Sequence, residues 1–311
     1  MRKALVLGAS GGMGYSIVKE LQMRNIEVVA FARNGEKLRR LFNGDEYVTI
    51  TTGDIFNPKD LEIAATGVDV IFQSANIPYS QWESNLEIFI NNVVDCAKKH
   101  SAKLAIVDNI YAYGRSTGSK VKETLEKRPN TKKGTIRLQL EKLVKESGVS
   151  ALIAHFPDFY GPNAENAILH YTLQGISKNK PTSFVGDKKI AREYIYTPDG
   201  AKAIVNLALC EKAYGENWNI PGYDVITGEE LITIIRNLTG YDKRVSTISK
   251  NMIRFIGLFN KDMREVVEMF YLNEEPVVLD GLKYESEFGE LPRTSYAEGL
   301  KETLEFMKRI G

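Results

Sequence analysis

The 311-residue sequence is poor in soft metal ligands, with two cysteines, Cys96 and Cys210, and three histidines, His100, His155 and His170. None stands at a ligand spacing from another, which argues against a Cys/His metal centre and against a disulfide framework. The thiols are read as reduced and buried, and the protein as cytoplasmic. Long apolar runs are missing too. No stretch approaches the roughly 20 residues that cross a bilayer, so no membrane span is expected. Arg2-Lys3 and the short apolar run after them give way to glycines and a charged helix, a poor fit to a signal peptide. There is no excess of charge either: Lys and Arg total 41, Asp and Glu 40, for a formal net charge of +1. That balance gives neither nucleic acid nor an anionic membrane an electrostatic case as partner; only the basic stretch Arg115–Lys133 runs locally against it. Internal repeats and low-complexity segments are absent. The length suits one large domain with a smaller lobe.

What is present starts with Lys3–Leu7, a short apolar strand running into Gly8-Ala9-Ser10-Gly11-Gly12-Met13-Gly14. Ile17, Val18 and Leu21 then recur at helical spacing between charged and polar residues. Strand, glycine turn and helix in this order bring unpaired backbone N–H groups and the positive end of a helix dipole together, which suits a phosphate. Gly8, Gly11 and Gly14 are assigned the tight turn, the close approach to a pyrophosphate and the helix–strand contact. Ser10, Gly12 and Met13 complete the candidate phosphate loop.

Further apolar strands follow at Ile26–Phe31, Tyr47–Thr51, Val68–Phe72, Leu104–Val107 and Ala151–Phe156, alternating with helices. Six such strands predict an α/β fold, a doubly wound parallel sheet, because parallel crossovers need helices on both faces. The second strand ends at Arg33, about 20 residues past the turn, where an acidic residue takes ribose hydroxyls and an arginine takes a 2′-phosphate. This favours NADP over NAD. Asp54 is placed to accept from the adenine amino group or to act as a turn residue ahead of Pro58, with Ile55 against the ring. Ser74, Ala75 and Asn76 leave the fourth strand at its carboxyl end, where ligands of open sheets bind. The sixth strand exits through Pro157-Asp158-Phe159, which supplies Pro157 and Phe159 to the same side. The polar stretch from Arg115 to Lys133 reads as a solvated loop or a mobile cover over the site. Residues 1–160 form the expected dinucleotide-binding core, and 161–311 mostly a substrate-covering lobe with segments that return to the core. In that lobe a helix near Asn163–Ser177, a strand pair around Thr182–Glu193, a strand at Trp218–Ile220 and helices at Pro198–Cys210, Thr227–Leu238 and Tyr296–Arg309 are expected.

Taken together, these motifs resemble the extended short-chain dehydrogenase/reductase superfamily of the NAD(P)-dependent epimerase/dehydratase type. Its T-G-x-x-G-x-x-G is similar to Leu7–Gly14, and its G-D-x-x-[DN] to Gly53–Asn57. Its S-S-x-x-V-Y-G resembles Asp108–Gly114, and its R-P-x-x-V-Y-G-P resembles His155–Pro162. Arg192–Asp199 and the C-terminal Asp280, Lys283, Gly289, Pro292, Thr294 and Gly299-Leu300 continue the likeness. The resemblance implies a Rossmann fold, an NAD(P) cofactor, a small-molecule substrate and pairing into a homodimer through two outer helices. It also implies a Tyr-x-x-x-Lys pair and an upstream serine, and here the chain departs. Lys133 falls where tyrosine is expected, Arg137 where lysine is expected, and Asn109 where serine is expected. Two readings follow. In one, the site is rebuilt: Arg137 holds the cofactor ribose, Lys133 beside it becomes the proton donor, and Asn109 polarises a substrate oxygen. Tyr111 and Tyr113 are second candidates for the acid. In the other, catalysis is lost and the protein binds NADP(H) as a sensor or scaffold.

Overall fold

The computed structural model of the chain describes residues 1–310. Strands β1 (Lys3–Leu7), β2 (Glu27–Ala32), β3 (Val48–Thr52), β4 (Val70–Gln73), β5 (Lys103–Asn109) and β6 (Ala151–Phe156) alternate with helices. These helices are α1 (Gly12–Met23), α2 (Gly35–Phe42), α3 (Pro58–Ala64), α4 (Trp82–Lys99) and α5 (Lys132–Glu146). Beyond them come β7 (Asp158–Tyr160), α6 (Ile168–Ser177), β8 (Thr182–Val185), β9 (Arg192–Tyr196), α7 (Thr197–Ala208), β10 (Asn217–Asn219) and β11 (Val225–Ile226). The chain ends with α8 (Gly228–Thr239), β12 (Val245–Ile248), α9 (Lys250–Ile256), α10 (Lys261–Met269), α11 (Tyr271–Glu274), α12 (Leu282–Phe288) and α13 (Tyr296–Ile310).

Seven strands form one parallel sheet in the order β10-β6-β5-β4-β1-β2-β3. The unbroken apolar run of β1 has a direct cause: Ala4 and Val6 feed the core on one face, Leu5 and Leu7 the core on the other. The first core takes in residues of α1 and α7, the second residues of α4 and α5. Strand order reverses between β1 and β4, which opens a crevice at their carboxyl ends.

Three expectations are corrected. The sheet gains a seventh strand, β10, a short segment of the second half that hydrogen-bonds alongside β6. The supposed strand pair at 182–193 does not pair with itself. Gly186 turns the chain at φ +90°, and β8 joins β12 while β9 joins β7 and β11. The stretch from Arg115 to Lys133 is exposed over most of its length, as a solvated loop would be, but it is pinned at Val121, Glu123 and Lys127. Val121 is buried, its N–H donates to the Val278 carbonyl at 2.8 Å, and its own carbonyl accepts from Asp280 at 2.8 Å. Two of its polar groups face inward and fix it: Glu123 accepts from the Asn219 amide at 2.8 Å, and the Lys127 side chain is 6% exposed.

A candidate dinucleotide and substrate cleft

The crevice is a cavity of about 830 Å³. Its near half is built on the glycine turn. Gly8 sits at φ +81°, and a Cβ there would lie 2.6 Å from the Ala75 Cα; a Cβ on Gly14 would lie 2.2 Å from the Gly8 carbonyl. These positions need glycine for space as well as for conformation. Helix α1 starts at Gly12 with no side chain capping it. Its first amides therefore have no helical or side-chain partner, and Gly11, Gly12 and Met13 line the cavity there. That is a cradle suited to a diphosphate.

Gly8, Ser10, Arg33, Asp54, Ile55, Ser74, Ala75, Asn76, Pro157 and Phe159 also line the cavity. Gly14 is the one sequence-selected cofactor residue that does not, because its place is beneath Gly8. Arg33 is exposed at the rim and free of any salt bridge among the described residues. Asn34 next to it is occupied, its side chain accepting from Lys37 to cap α2 at 2.9 Å. Asp54 serves the loop as well as the cavity: its Oδ1 accepts from the Phe56 amide at 3.1 Å, closing a turn. Ser74 is tied back to β1, its hydroxyl donating to the Leu7 carbonyl at 2.7 Å.

The five catalytic candidates divide. Asn109 and Tyr111 line the cavity. The Asn109 side-chain oxygen accepts from the Tyr111 amide at 3.0 Å. The Tyr111 hydroxyl lies 2.5 Å from the hydroxyl of Tyr79, a cavity residue that sequence reasoning missed. Spacing gives no signal for Tyr79; only its position past the carboxyl end of β4, after Pro78, points to it. Enclosure pushes both phenols above the ordinary tyrosine range, Tyr111 well above it.

Tyr113, Lys133 and Arg137 do not line the cavity, and each side chain meets a partner outside it. Tyr113 is buried in a small cluster with Val121, Val277 and Leu279, and its hydroxyl donates to Asn219 Oδ1 at 2.7 Å. Lys133 does not sit against a like charge. Its ammonium, 2% exposed, is clamped between Glu265 at 2.5 Å and Glu268 at 2.8 Å of α10. Arg137 lies over the Trp82 ring at 4.3 Å and faces Asp108 at 3.4 Å rather than a ribose. Spacing along α5 set these two side chains one turn apart, but α10 and α4 decide what each one meets.

Behind the cavity, Glu141 binds Lys127 and accepts from Asn217 at 2.7 Å. Burial works against its ionisation, yet Lys127 and His155 outweigh that and hold its carboxyl at about 2. His155, on the family's arginine position, is wholly buried. Lys127 donates to its Nε2 at 2.8 Å, and its Nδ1 donates to the Asn109 carbonyl at 3.0 Å, an arrangement that requires a neutral ring. Burial and then Lys127 push it down to about 4.

The far half of the cavity is walled by α9, α10 and the ends of β8 and β12. Asp158 faces in from β7; enclosure raises its carboxyl above the usual range while Arg192, at 3.9 Å, opposes that shift. Among the described residues there is no cluster of His, Cys, Asp and Glu suited to a metal, and no helix long and apolar enough to cross a membrane.

Comparison with known proteins fits this geometry. The profile of the NAD dependent epimerase/dehydratase family matches residues 4–220. A Bacillus subtilis protein described as an uncharacterized UDP-glucose epimerase, YtcB, is 26% identical over 262 residues, covering 76% of this chain and 82% of that one. Among solved structures, UDP-glucuronic acid 4-epimerase from Bacillus cereus, in complex with NAD, superposes with a TM-score of 0.80 at 19% identity over 99% of each chain. UDP-glucose 4-epimerase from Thermotoga maritima, with UDP-glucose, does so with a TM-score of 0.79 at 20% identity over 99% of each.

Proposed function

We propose, from the premise that this chain belongs to the NAD dependent epimerase/dehydratase family, that it is an NADP(H)-dependent oxidoreductase or epimerase acting on a carbonyl or hydroxyl substrate. One observation carries this reading: a single cavity runs from the open start of α1 to the hydrogen-bonded hydroxyls of Tyr79 and Tyr111. The glycine cradle fits the cofactor's diphosphate, and the bound cofactor supplies the oxidation–reduction chemistry. The chain's own residues do the rest. Tyr111 donates to the substrate oxygen while Tyr79 holds its orientation, and Asn109 fixes the Tyr111 backbone. With both phenols raised, the pair stays protonated at neutral pH and can hydrogen-bond a carbonyl oxygen.

Arg33 supports the phosphorylated cofactor, since it is the only cation on the cavity lining among the described residues. The solved relatives named above carry NAD or a UDP-sugar in their structures, so cofactor choice is the first test. Calorimetry should give a lower Kd for NADPH than for NADH, and Arg33→Ala should weaken NADPH roughly tenfold, the loss of one charge-assisted contact, while leaving NADH unchanged. Equal affinities in the wild type would remove the NADP preference.

A second reading, a non-catalytic NADP(H)-binding sensor or scaffold, draws on the confinement of Lys133 between two glutamates and of Arg137 against Trp82. NADPH consumption across aldehydes, ketones and sugar nucleotides separates the two. A complete blank alongside tight NADPH binding selects the sensor.

A further inference from the structure

We infer that the far half of the cavity takes an uncharged, largely apolar substrate, and not the diphosphate of a sugar nucleotide. The inference deepens the proposed function and rests on its assignment of the near half to the cofactor. Among the described residues the cavity lining holds one cation, Arg33, at the β2 rim, and two carboxylates, Asp54 and Asp158. Val185, Ile248, Ile253, Met263, Val266 and Leu272 form the far wall.

Nearby cations are committed elsewhere. Arg192 donates to Asn273 and Tyr194. Lys133 is held by Glu265 and Glu268, and Arg264 Nε donates to the Gly257 carbonyl at 3.1 Å. A diphosphate moved from water into such a wall would compete with Asp158 for Arg192, 3.9 Å from that carboxylate, and would leave most of its charge uncompensated. The amides at the start of α6, which begins beside Ala167 on the lining, are the one alternative anchor, and the UDP-glucose measurement below tests it.

The entrance has the same character. Ile256 lines the cavity and is 44% exposed, and Phe255 and Phe259 on the α9–α10 hairpin are exposed beside it. Apolar surface therefore continues from solvent into the cavity, as an apolar ligand requires.

The test uses the full chain. The neutral dye Nile red is titrated by fluorescence, with 2-undecanone and UDP-glucose as competitors, and NADPH is titrated separately by calorimetry. Saturable dye binding displaced by 2-undecanone, and not by millimolar UDP-glucose, supports the inference. Val266→Asp, with Met263→Asp as a second variant should the first misfold, should weaken the dye at least tenfold. NADPH affinity, which also reports folding, should move less than twofold. Displacement by UDP-glucose overturns the inference. So does dye binding that survives both aspartates and disappears in Phe259→Ser, because the dye would then sit on the outer hairpin. Absence of NADPH binding in the wild type overturns the cofactor assignment, and it is read in its own titration.

Discussion

At the scale of single residues, the proposed function turns on the Tyr79–Tyr111 contact. The hydroxyls lie 2.5 Å apart on the cavity wall, and only one of the two protons can serve the other oxygen. The remaining O–H is free to donate to a substrate. Tyr111→Phe removes the donor and keeps the ring, so turnover should drop by about 10²–10⁴-fold with NADPH affinity unchanged, a loss typical of a positioned proton donor. Tyr79→Phe should be milder, because Tyr111 keeps its own hydroxyl. Steady-state kinetics beside a binding isotherm on each variant checks this, and equal turnover in all three proteins would argue for the sensor. Little of this arrangement was legible beforehand. Tyr111 stood out from its position after β5, whereas its partner arrives from a different loop, 32 residues earlier.

At the scale of elements, close packing and one ion clamp hold the cavity walls. Helix α1 lies so near β1 that a methyl at Gly14 meets the Gly8 carbonyl at 2.2 Å. Gly14→Ala should push the helix outward, weaken dinucleotide binding more than tenfold and destabilise the fold by about 1–3 kcal/mol, the usual range for overpacking. Calorimetry and thermal unfolding read the two effects. Helix α10 is fastened differently, through Lys133 of α5 between Glu265 and Glu268. Lys133→Met leaves two carboxylates facing an apolar group. Breaking a buried pair costs about 3–5 kcal/mol, and the partial solvation of the glutamates puts this case toward the lower end. Hydrogen exchange should quicken across Lys261–Met269 and stay slow in α1. Helices themselves were readable one at a time: α8 begins at Thr227, whose hydroxyl accepts from Glu230 in a capping box. The residues α10 would meet were not, because Lys133 and Glu265 are 132 positions apart.

At the scale of the whole molecule, two buried groups on different sheets contribute to stability with opposite pH dependence. His155 on β6 is pushed down to about 4, so between 6.5 and 4 the unfolded chain binds its proton and the folded one does not; stability falls as pH falls. Glu193 on β9 is pushed up to about 7 by burial, so between 7 and 4.5 the folded chain holds the extra proton; stability rises as pH falls. Each shift is worth on the order of 3 kcal/mol. Over pH 4.5 to 6.5 these two contributions nearly cancel, so neither sets the slope of the wild type's melting temperature by itself. Glu193→Gln should expose the histidine, so that the melting temperature falls on acidification. His155→Gln should expose the glutamate and reverse that slope. Thermal melts at several pH values read both, and parallel slopes in the two variants would refute the account.

The sequence by itself determined the parallel sheet, the glycine turn and most of the residues that line the near half of the cavity. Each of these depends on neighbours along the chain: an apolar run, a residue without a Cβ, the carboxyl end of a strand. Tertiary structure alone decided which polar side chains reach the cavity and what lines its far wall. It turned Tyr113, Lys133 and Arg137 toward partners on distant elements and brought Tyr79 in. It also pinned the polar stretch Arg115–Lys133 through Val121, Glu123 and Lys127, joined β10 to the main sheet and closed the cavity with α9 and α10. The physical reason is that a charge or hydroxyl settles beside whichever group compensates its desolvation, and in this fold those groups come from remote parts of the chain.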